Sequence, residues 1–118
     1  MIKEDFVSSE TSKLLKEKGF NEDSWFHYDT DGDIVTRGYR LNHPDDIPAW
    51  THQRIMKWLR ELHNICISVD VKIGGGKYYV CISSTENGLS YGVLEDEVWD
   101  TFEEACEESI KYCLENLL

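Results

Sequence analysis

The chain has 118 residues and a formal net charge of −11 at pH 7. This length suits one domain, residues 1–118, which is long enough to bury a hydrophobic core. Hydrophobic residues make up 41% of the chain and charged residues 30%, a balance typical of a globular protein. The acidic charge argues against direct nucleic-acid binding and against attachment to anionic membranes, since both need clustered Lys and Arg.

The start of the chain and its four cysteines both favour a cytosolic protein. Residues 1–6 are polar and acidic, unlike a signal peptide, and no stretch approaches the roughly 20 apolar residues of a membrane span. Cys106 and Cys113 are separated by about 10 Å of helical rise, which is too far for a disulfide. Cys66 and Cys81 are offset diagonally on a predicted sheet, so we expect four reduced thiols.

The first part of the sequence predicts a helix followed by a hairpin. The helix, FVSSETSKLLKEKGF in residues 6–20, has possible caps at Ser8 or Ser9 and a left-handed stop at Gly19. Asp31-Gly32 then lies between aromatic and β-branched runs, which predicts a two-residue hairpin turn.

The alternating aspartates of YDTDGDIVT, residues 28–36, also suggest a calcium loop, but the spacing is wrong. Such a loop needs glycine at its sixth position and a bidentate glutamate at its twelfth. Counting from Asp29, these positions hold Ile34 and Arg40. The stretch therefore indicates a hairpin and no metal site.

The middle of the chain predicts a long connection, a helix and a three-strand meander. Residues 39–50 contain Pro44 and Pro48, which should keep this connection out of regular ladders. The helix, residues 51–64, has Thr51 as cap and Asn64 as left-handed stop. Its expected buried stripe is Ile55, Trp58, Leu59 and Leu62.

Three apolar segments after this helix predict the meander, namely ICISVDVKI, YYVCIS and LSYGVL. Their alternation predicts one buried face, provided that the loop through GGGK has an even number of residues. Asn87-Gly88 predicts a second two-residue turn. The expected inward-facing residues are Ile67, Val69, Val71, Tyr78, Val80 and Ile82.

The last helix should begin after EDEVWD, with Thr101 and Glu104 as a capping box. Its expected buried stripe is Phe102, Cys106, Ile110, Cys113 and Leu117. The outer face carries two pairs of acids at a spacing of four, and we predict that this face binds a basic protein partner. The predicted protein-binding residues are Glu103, Glu104, Glu107 and Glu108. A solvated face that only keeps the protein soluble is the alternative.

Candidate catalytic motifs fail on their structural context. In GLSYG a strand follows Ser90, whereas a nucleophile elbow needs a helix there. GGGK lacks the following Ser or Thr of a phosphate loop. His52 and His63 lie about 16 Å apart by helical rise, too far to share a metal ion. The sequence therefore predicts no catalytic residue, no metal site and no cofactor.

The predicted fold is α+β, a single domain in which helices cover an antiparallel sheet. The element order is helix, hairpin, long loop, helix, three strands, helix. From Pro48 onward this order is topologically like a double-stranded-RNA-binding fold. Where such domains carry lysines to hold phosphates, this chain has Asp100, Glu103 and Glu104, so only the topology carries over.

Three stretches, LLKEKGF, KWLRELHNI and TFEEACEESIKYCLENLL, occur in this order along the chain. In them the chain resembles a family of short uncharacterised proteins of gut bacteria, their phages and mobile elements. The resemblance spans most of the chain and is weakest in residues 39–50. It implies a phage or mobile-element origin, and no functional residues come with it.

Besides a purely structural or dispensable accessory protein, three functions remain open at this point. The first is a non-catalytic protein-interaction module with a basic partner. The second is a small-ligand binder or enzyme whose site is assembled from dispersed residues such as His43 and Asp45. The third is an acidic DNA mimic that inhibits a nucleic-acid-binding protein.

Overall fold

The part of the chain that the structure describes folds into three helices and two antiparallel sheets. The structure is a computed structural model that describes residues 5–22, 24–29, 31–36 and 47–118, with the side chains of all of these except residues 91–97. The elements are α1 (Ser9–Glu17), β1 (Phe26–Tyr28), β2 (Ile34–Thr36), α2 (His52–His63), β3 (Ile65–Val71), β4 (Tyr78–Ser84), β5 (Ser90–Trp99) and α3 (Phe102–Asn116). The predicted α+β class and element order are confirmed.

The helix ends lie where the capping residues predict. The side-chain hydroxyls of Ser8, Thr51 and Thr101 each accept a hydrogen bond from the backbone N–H three residues later. Such a bond satisfies one of the N–H groups that a first turn leaves without a helical partner. At the other end of α2, Asn64 has a left-handed backbone with φ of 56°, as predicted.

The three-stranded sheet has the order β3-β4-β5. Val71 pairs with Tyr78, which leaves an even loop, residues 72–77, between the first two strands. This register places the apolar residues of both strands on one face, as the alternation predicts. On the other face, Cys66 pairs with Ser83 rather than with Cys81, and all four cysteines of the chain are free thiols.

Helices α2 and α3 cover the apolar face of the sheet and form the core with it. The fully buried residues include predicted members of both elements and several from the N-terminal part. Among them are Val7, Leu15, Ile55, Leu59, Val80, Ile82, Cys106, Ile110 and Cys113. Three predicted core residues are wrong, because Leu62 is 68% exposed, Val71 is 56% exposed and Phe102 is 36% exposed.

The exposure of Val71 follows from the lengths of the elements. A seven-residue strand such as β3 extends roughly 23 Å, whereas the twelve-residue α2 extends about 18 Å. The far end of β3 therefore passes beyond the helix that packs beside it. Val69 lies two residues earlier in β3 and on the same face, and it is still partly buried against the core.

Both glycine turns are longer than the predicted two residues. Tyr28 pairs with Ile34, so the first turn spans residues 29–33, and Gly32 has φ of 85°. The second turn connects β4 and β5, and there Gly88 has φ of 70° and donates its N–H to the Ser84 carbonyl. In each case glycine occupies the position at the end of a longer turn where the backbone is left-handed. Few other residue types adopt that backbone conformation.

Strand β5 is also longer than predicted. The acidic stretch before α3, expected to lie outside the meander, belongs to the strand, which runs from Ser90 to Trp99. Its pairing is irregular, since Val80 pairs with Leu94 but Tyr78 pairs with Trp99. Extra residues on one strand bend it and increase its twist. Trp99 is thereby placed beside Tyr78 at the start of α3.

The hairpin of β1 and β2 is extended by residues 47–49. His27 and Pro48 form an antiparallel bridge, flanked by hydrogen bonds from Tyr28 N–H to the Ile47 carbonyl and from Ala49 N–H to the Phe26 carbonyl. The bridge residues themselves do not exchange N–H bonds, so a proline is tolerated at this position. Trp50 is buried in the core, and residues 39–46 of the predicted connection lie outside the described residues.

Candidate functional site

The predicted acidic face of α3 borders an open groove. The groove is about 500 Å³ in volume and lies between the first turns of α3, the segment before α1 and the start of α2. Its lining residues are Asp5, Phe6, Ser8, His52, Trp99, Glu103, Glu104, Glu107 and Glu108. All four predicted protein-binding residues are among them. Neither Lys nor Arg is present in this described lining, so we call it the acidic groove.

Three of the four glutamates are exposed to solvent, as the sequence predicts. Glu103, Glu104 and Glu108 are exposed on the first two turns of α3. The nearest base along the helix, Lys111, is directed toward α1, where its Nζ lies 4.0 Å from Glu10. The negative charge of the groove is therefore not neutralised from within α3.

Glu107 is oriented differently from the outward direction expected of it. Its carboxylate accepts hydrogen bonds from the backbone N–H of Ser8 at 3.1 Å, from the Ser8 hydroxyl at 3.0 Å and from the Thr11 hydroxyl. Its side chain is only 18% exposed. Ser8 is the N-cap of α1, so a glutamate of α3 completes the cap of another helix and interacts favourably with its dipole.

A histidine of α2 also contacts the Glu107 carboxylate. His52, the first residue of α2, is buried, and its Nε2 lies 2.9 Å from Oε1 of Glu107. Burial alone would raise the pKa of Glu107, but hydrogen bonds from His52, Thr11 and Ser8 outweigh it, so its pKa is lowered. The carboxylate therefore connects the second turn of α3 to the first turns of α1 and α2. We call these residues, Ser8, Thr11, His52 and Glu107, the Glu107 cluster.

The Glu107 cluster contains serine, histidine and a carboxylate, but not in a catalytic order. In a hydrolytic triad the histidine lies between the nucleophile and the acid, where it can accept the hydroxyl proton. Here Glu107 lies between Ser8 and His52, and it accepts from both. This arrangement stabilises the junction of the helices and does not activate the Ser8 hydroxyl.

Other ionisable groups near the groove are held in their neutral forms. Burial and the nearby Glu107 raise the pKa of Tyr28, whose hydroxyl donates to the Val7 carbonyl. Burial, followed by the charges of Glu103, Asp5 and Glu107, raises the pKa of Cys106 to about 11. Burial raises the pKa of Cys113 to about 12. Both thiols are thus protonated at neutral pH, and a protonated thiol is a poor nucleophile.

The aspartates of the first hairpin form hydrogen bonds that stabilise its turn. The Asp29 carboxylate accepts hydrogen bonds from the backbone N–H groups of Asp31 and Asp33, both at 2.9 Å. Such bonds are typical of a turn that begins with aspartate. Within the ranges that the structure describes, no group of three or more His, Cys, Asp or Glu side chains is placed to hold a metal ion. The alternative site residues His43 and Asp45 lie outside those ranges.

The sequence did not indicate that Ser8, Thr11 and His52 belong with the acidic face. Ser8 was identified only as a cap, and His52 only as a histidine too far from His63 to share a metal. The available signal was weak, because Ser8 and His52 are separated from Glu107 by 99 and 55 positions. Only the packing of α1 and α2 against α3 brings them together.

No protein-family model, no curated protein and no solved structure matches this chain. The likeness to a double-stranded-RNA-binding fold is thus limited to the order and antiparallel pairing of α2, β3, β4, β5 and α3. The resemblance to the family from gut bacteria and phages stays a prediction. In the described part of the chain, no helix combines the length and apolar character needed to cross a bilayer.

Proposed function

We propose that this protein is a non-catalytic interaction module, of the type carried by phages and mobile elements, that binds a basic protein partner through the acidic groove. The observation that carries the proposal is the composition of the groove. Among the described residues, five carboxylates line it, from Asp5, Glu103, Glu104, Glu107 and Glu108, and no Lys or Arg side chain does. Such a concentration of one sign attracts a partner of the opposite sign and accelerates association.

The Glu107 cluster supports this proposal because it divides the acids into two roles. Glu107 is held by α1 and α2, so its charge remains at the floor of the groove at fixed geometry. Glu103, Glu104 and Glu108 are exposed and can meet a partner directly. A non-catalytic role is supported by the order of the groups in the cluster and by the raised pKa of the Cys106 thiol.

A capture experiment with matched charge variants tests the proposal. The groove variant replaces Glu103, Glu104 and Glu108 with glutamine and retains Glu107, because Glu107 is needed for packing. The control variant replaces three exposed acids of the cleft between α1 and α3 that also contains Lys13 and Lys111. These are Glu10, Glu17 and Glu115. Both variants remove the same formal charge from the chain.

We expect wild type and the control variant to capture the same basic partner from a bacterial lysate, and the groove variant to lose it. With the purified partner, the groove variant should associate more slowly and show a weaker dependence on salt. Equal capture by all three proteins would reject the groove as the binding surface. If the partner is a nucleic-acid-binding protein that DNA displaces, the DNA-mimic alternative replaces the general one.

A further inference from the structure

An apolar strip crosses the open end of the three-stranded sheet, next to the acidic groove. Val71 of β3 pairs with Tyr78 of β4, and Tyr78 pairs with Trp99 of β5, so the three side chains form a row on the helix-covered face. The Phe102 ring lies edge-on against Tyr78, with ring centroids 6.1 Å apart. We call these four residues the apolar strip.

The strip is incompletely covered by the rest of the described chain. Val71 is 56% exposed and Phe102 is 36% exposed, while Tyr78 and Trp99 are only partly buried against the core. Helix α3 begins at Phe102 and covers the sheet only from that point onward, and β3 extends past the end of α2. Contiguous apolar surface of this kind on a small acidic protein is typical of an interaction site.

The charged residues around the strip indicate the sign of the charge that a partner covering it would carry. Trp99 lines the acidic groove, and Glu103 and Glu104 directly follow Phe102 in the chain. Among the described residues, Lys77 and Lys72 lie near this end. Lys77 is paired with Asp100, and the Lys72 ammonium lies 5.6 Å from the Tyr79 ring centroid. A partner over the strip would therefore meet carboxylates on the groove side, and Lys or Arg beside its apolar residues would complement them.

The dimensions of the strip match one α-helix laid across the strands. Strands are spaced about 4.8 Å apart, so the row from Val71 to Trp99 is roughly 10 Å long. Along a helix, residues at i and i+7 are also roughly 10 Å apart, with i+3 and i+4 between them. Because the strip runs across the sheet and not along a strand edge, it offers side chains to a partner rather than backbone hydrogen bonds.

We propose that the apolar strip anchors an amphipathic helix of the partner, with its apolar face on Val71, Tyr78, Trp99 and Phe102 and its Lys or Arg residues over the acidic groove. The inference rests on the proposed function and makes it more specific. The groove supplies the charge attraction, which depends on salt, and the strip supplies apolar burial, which does not. The two contributions can be separated by experiment.

Three synthetic fluorescein-labelled peptides serve as probes in an anisotropy titration. The first has Leu at i, i+3, i+4 and i+7 and Lys at the other positions. The second is a scramble of the first with identical composition, and the third retains the Leu stripe but replaces Lys with Glu. Each is titrated with wild type and with two double variants, at low and at high salt. The strip variant is Val71→Thr with Phe102→Gln, and the control is Leu62→Gln with Leu89→Thr, at leucines that are 68% and 67% exposed elsewhere.

We expect wild type to bind the first peptide about tenfold more tightly than its scramble, and to bind the Glu peptide weakly if at all. The strip variant should lose most of that difference, and the control variant should retain it. Chemical shifts of the labelled 13.8 kDa protein should change at the strip residues on titration with the first peptide, which locates the contact independently of any substitution.

Several results would overturn the inference. Equal binding of the first peptide and its scramble would show charge attraction alone, and the proposed groove function would survive it. Equal binding of the Lys and Glu peptides would show that the acidic rim does not select the partner. A concentration-dependent dimer in sedimentation that the strip variant abolishes would identify a second copy of this chain as the occupant. Failure of the groove itself is detected separately, by the capture experiment with the glutamine variants.

Discussion

The N-terminal part of the molecule, residues 5–36, differs from the C-terminal part, residues 51–118, in the contacts that stabilise it. The difference is how far apart in the sequence the contacting residues lie. In the C-terminal part, caps connect residues three positions apart, and consecutive strands pair along the meander. In the N-terminal part, the cap of α1 is completed by Glu107, and the hairpin is extended by residues 47–49. The same kinds of bond occur in both parts, but the N-terminal part depends on distant partners.

This difference predicts that the two parts differ in local stability. Some regions have few apolar contacts and many polar contacts to other elements. Their local unfolding costs less free energy than unfolding of the core to which they are attached. α1 buries Leu15, and residues before and after it bury Val7 and Phe20, so it is not loosely attached. Its orientation, however, depends on the Glu107 cluster. Four predictions follow from the contrast, in decreasing order of expected effect.

Loss of volume in the central strand should destabilise both parts together. Ile82 of β4 is fully buried, so Ile82→Ala should cost about 2–5 kcal/mol in the free energy of unfolding, from lost burial and the remaining cavity. Urea denaturation measures the change. The matched control, Ile73→Ala at a fully exposed residue, should alter stability by less than about 0.5 kcal/mol. Similar values for both variants would contradict the assignment of the core.

Removal of the Glu107 charge should loosen the N-terminal part selectively. Glu107→Gln keeps the shape but loses charge-assisted bonds from His52, Thr11 and Ser8, which should cost about 1–3 kcal/mol. Hydrogen exchange should increase more in α1 than in β3 and β4. Glu108→Gln, at the exposed neighbour, should leave both stability and exchange nearly unchanged. If the two variants exchange alike, Glu107 does not hold the two parts together.

The contribution of Glu107 should disappear in acid. Its pKa is lowered in the folded state, so the stabilisation is complete above the unfolded pKa, near the usual value of 4.5, and is lost as the pH falls through the folded pKa. The gap in urea midpoint between wild type and Glu107→Gln should therefore be constant well above about pH 4.5 and should narrow over the acid range below it. A gap that stays constant over this range would mean that the charge of Glu107 contributes nothing.

The smallest effect is expected at the hairpin of the N-terminal part. Gly32 has φ of 85°, so Gly32→Ala should cost about 1 kcal/mol, because a Cβ disfavours the left-handed region. Gly32→Asn should cost less, since asparagine adopts this region more readily. Thermal unfolding and hydrogen exchange of β1 and β2 measure both. An equal cost for Ala and Asn would show that backbone conformation is not the cause.

Features whose partners are near in sequence were predicted well. Thr51 was predicted as the cap of α2, Ser8 or Ser9 as that of α1, and Thr101, with Asp100 as the alternative, as that of α3. In the structure Ser8, Thr51 and Thr101 are the caps, and each bonds an N–H only three residues away. The alternation in β3 and β4 predicted both the buried face and the even loop, since side chains alternate with a period of two. The turn lengths at Gly32 and Gly88 were wrong, because glycine permits a left-handed position without specifying how many residues precede it.

Of the candidate site, the sequence predicted the exposed glutamates correctly but not the role of Glu107. Glu103, Glu104 and Glu108 could be assigned to an acidic surface from helical spacing alone. By the same spacing Glu107 looks equivalent to them, and nothing within a few residues of it indicates otherwise. Its role depends on Ser8 and His52, which reach it only when three helices pack together.

The sequence by itself determined the order of the elements, the ends of the helices and the face that β3 and β4 bury, because short-range hydrogen bonds and side-chain periodicity decide these. The tertiary structure alone decided which of four similar glutamates becomes part of the interior, and where the sheet extends beyond its helices. Those outcomes depend on the distance between remote segments and on the relative lengths of a strand and a helix. The apolar strip at Val71 and the fixed carboxylate of Glu107 both arise from that packing.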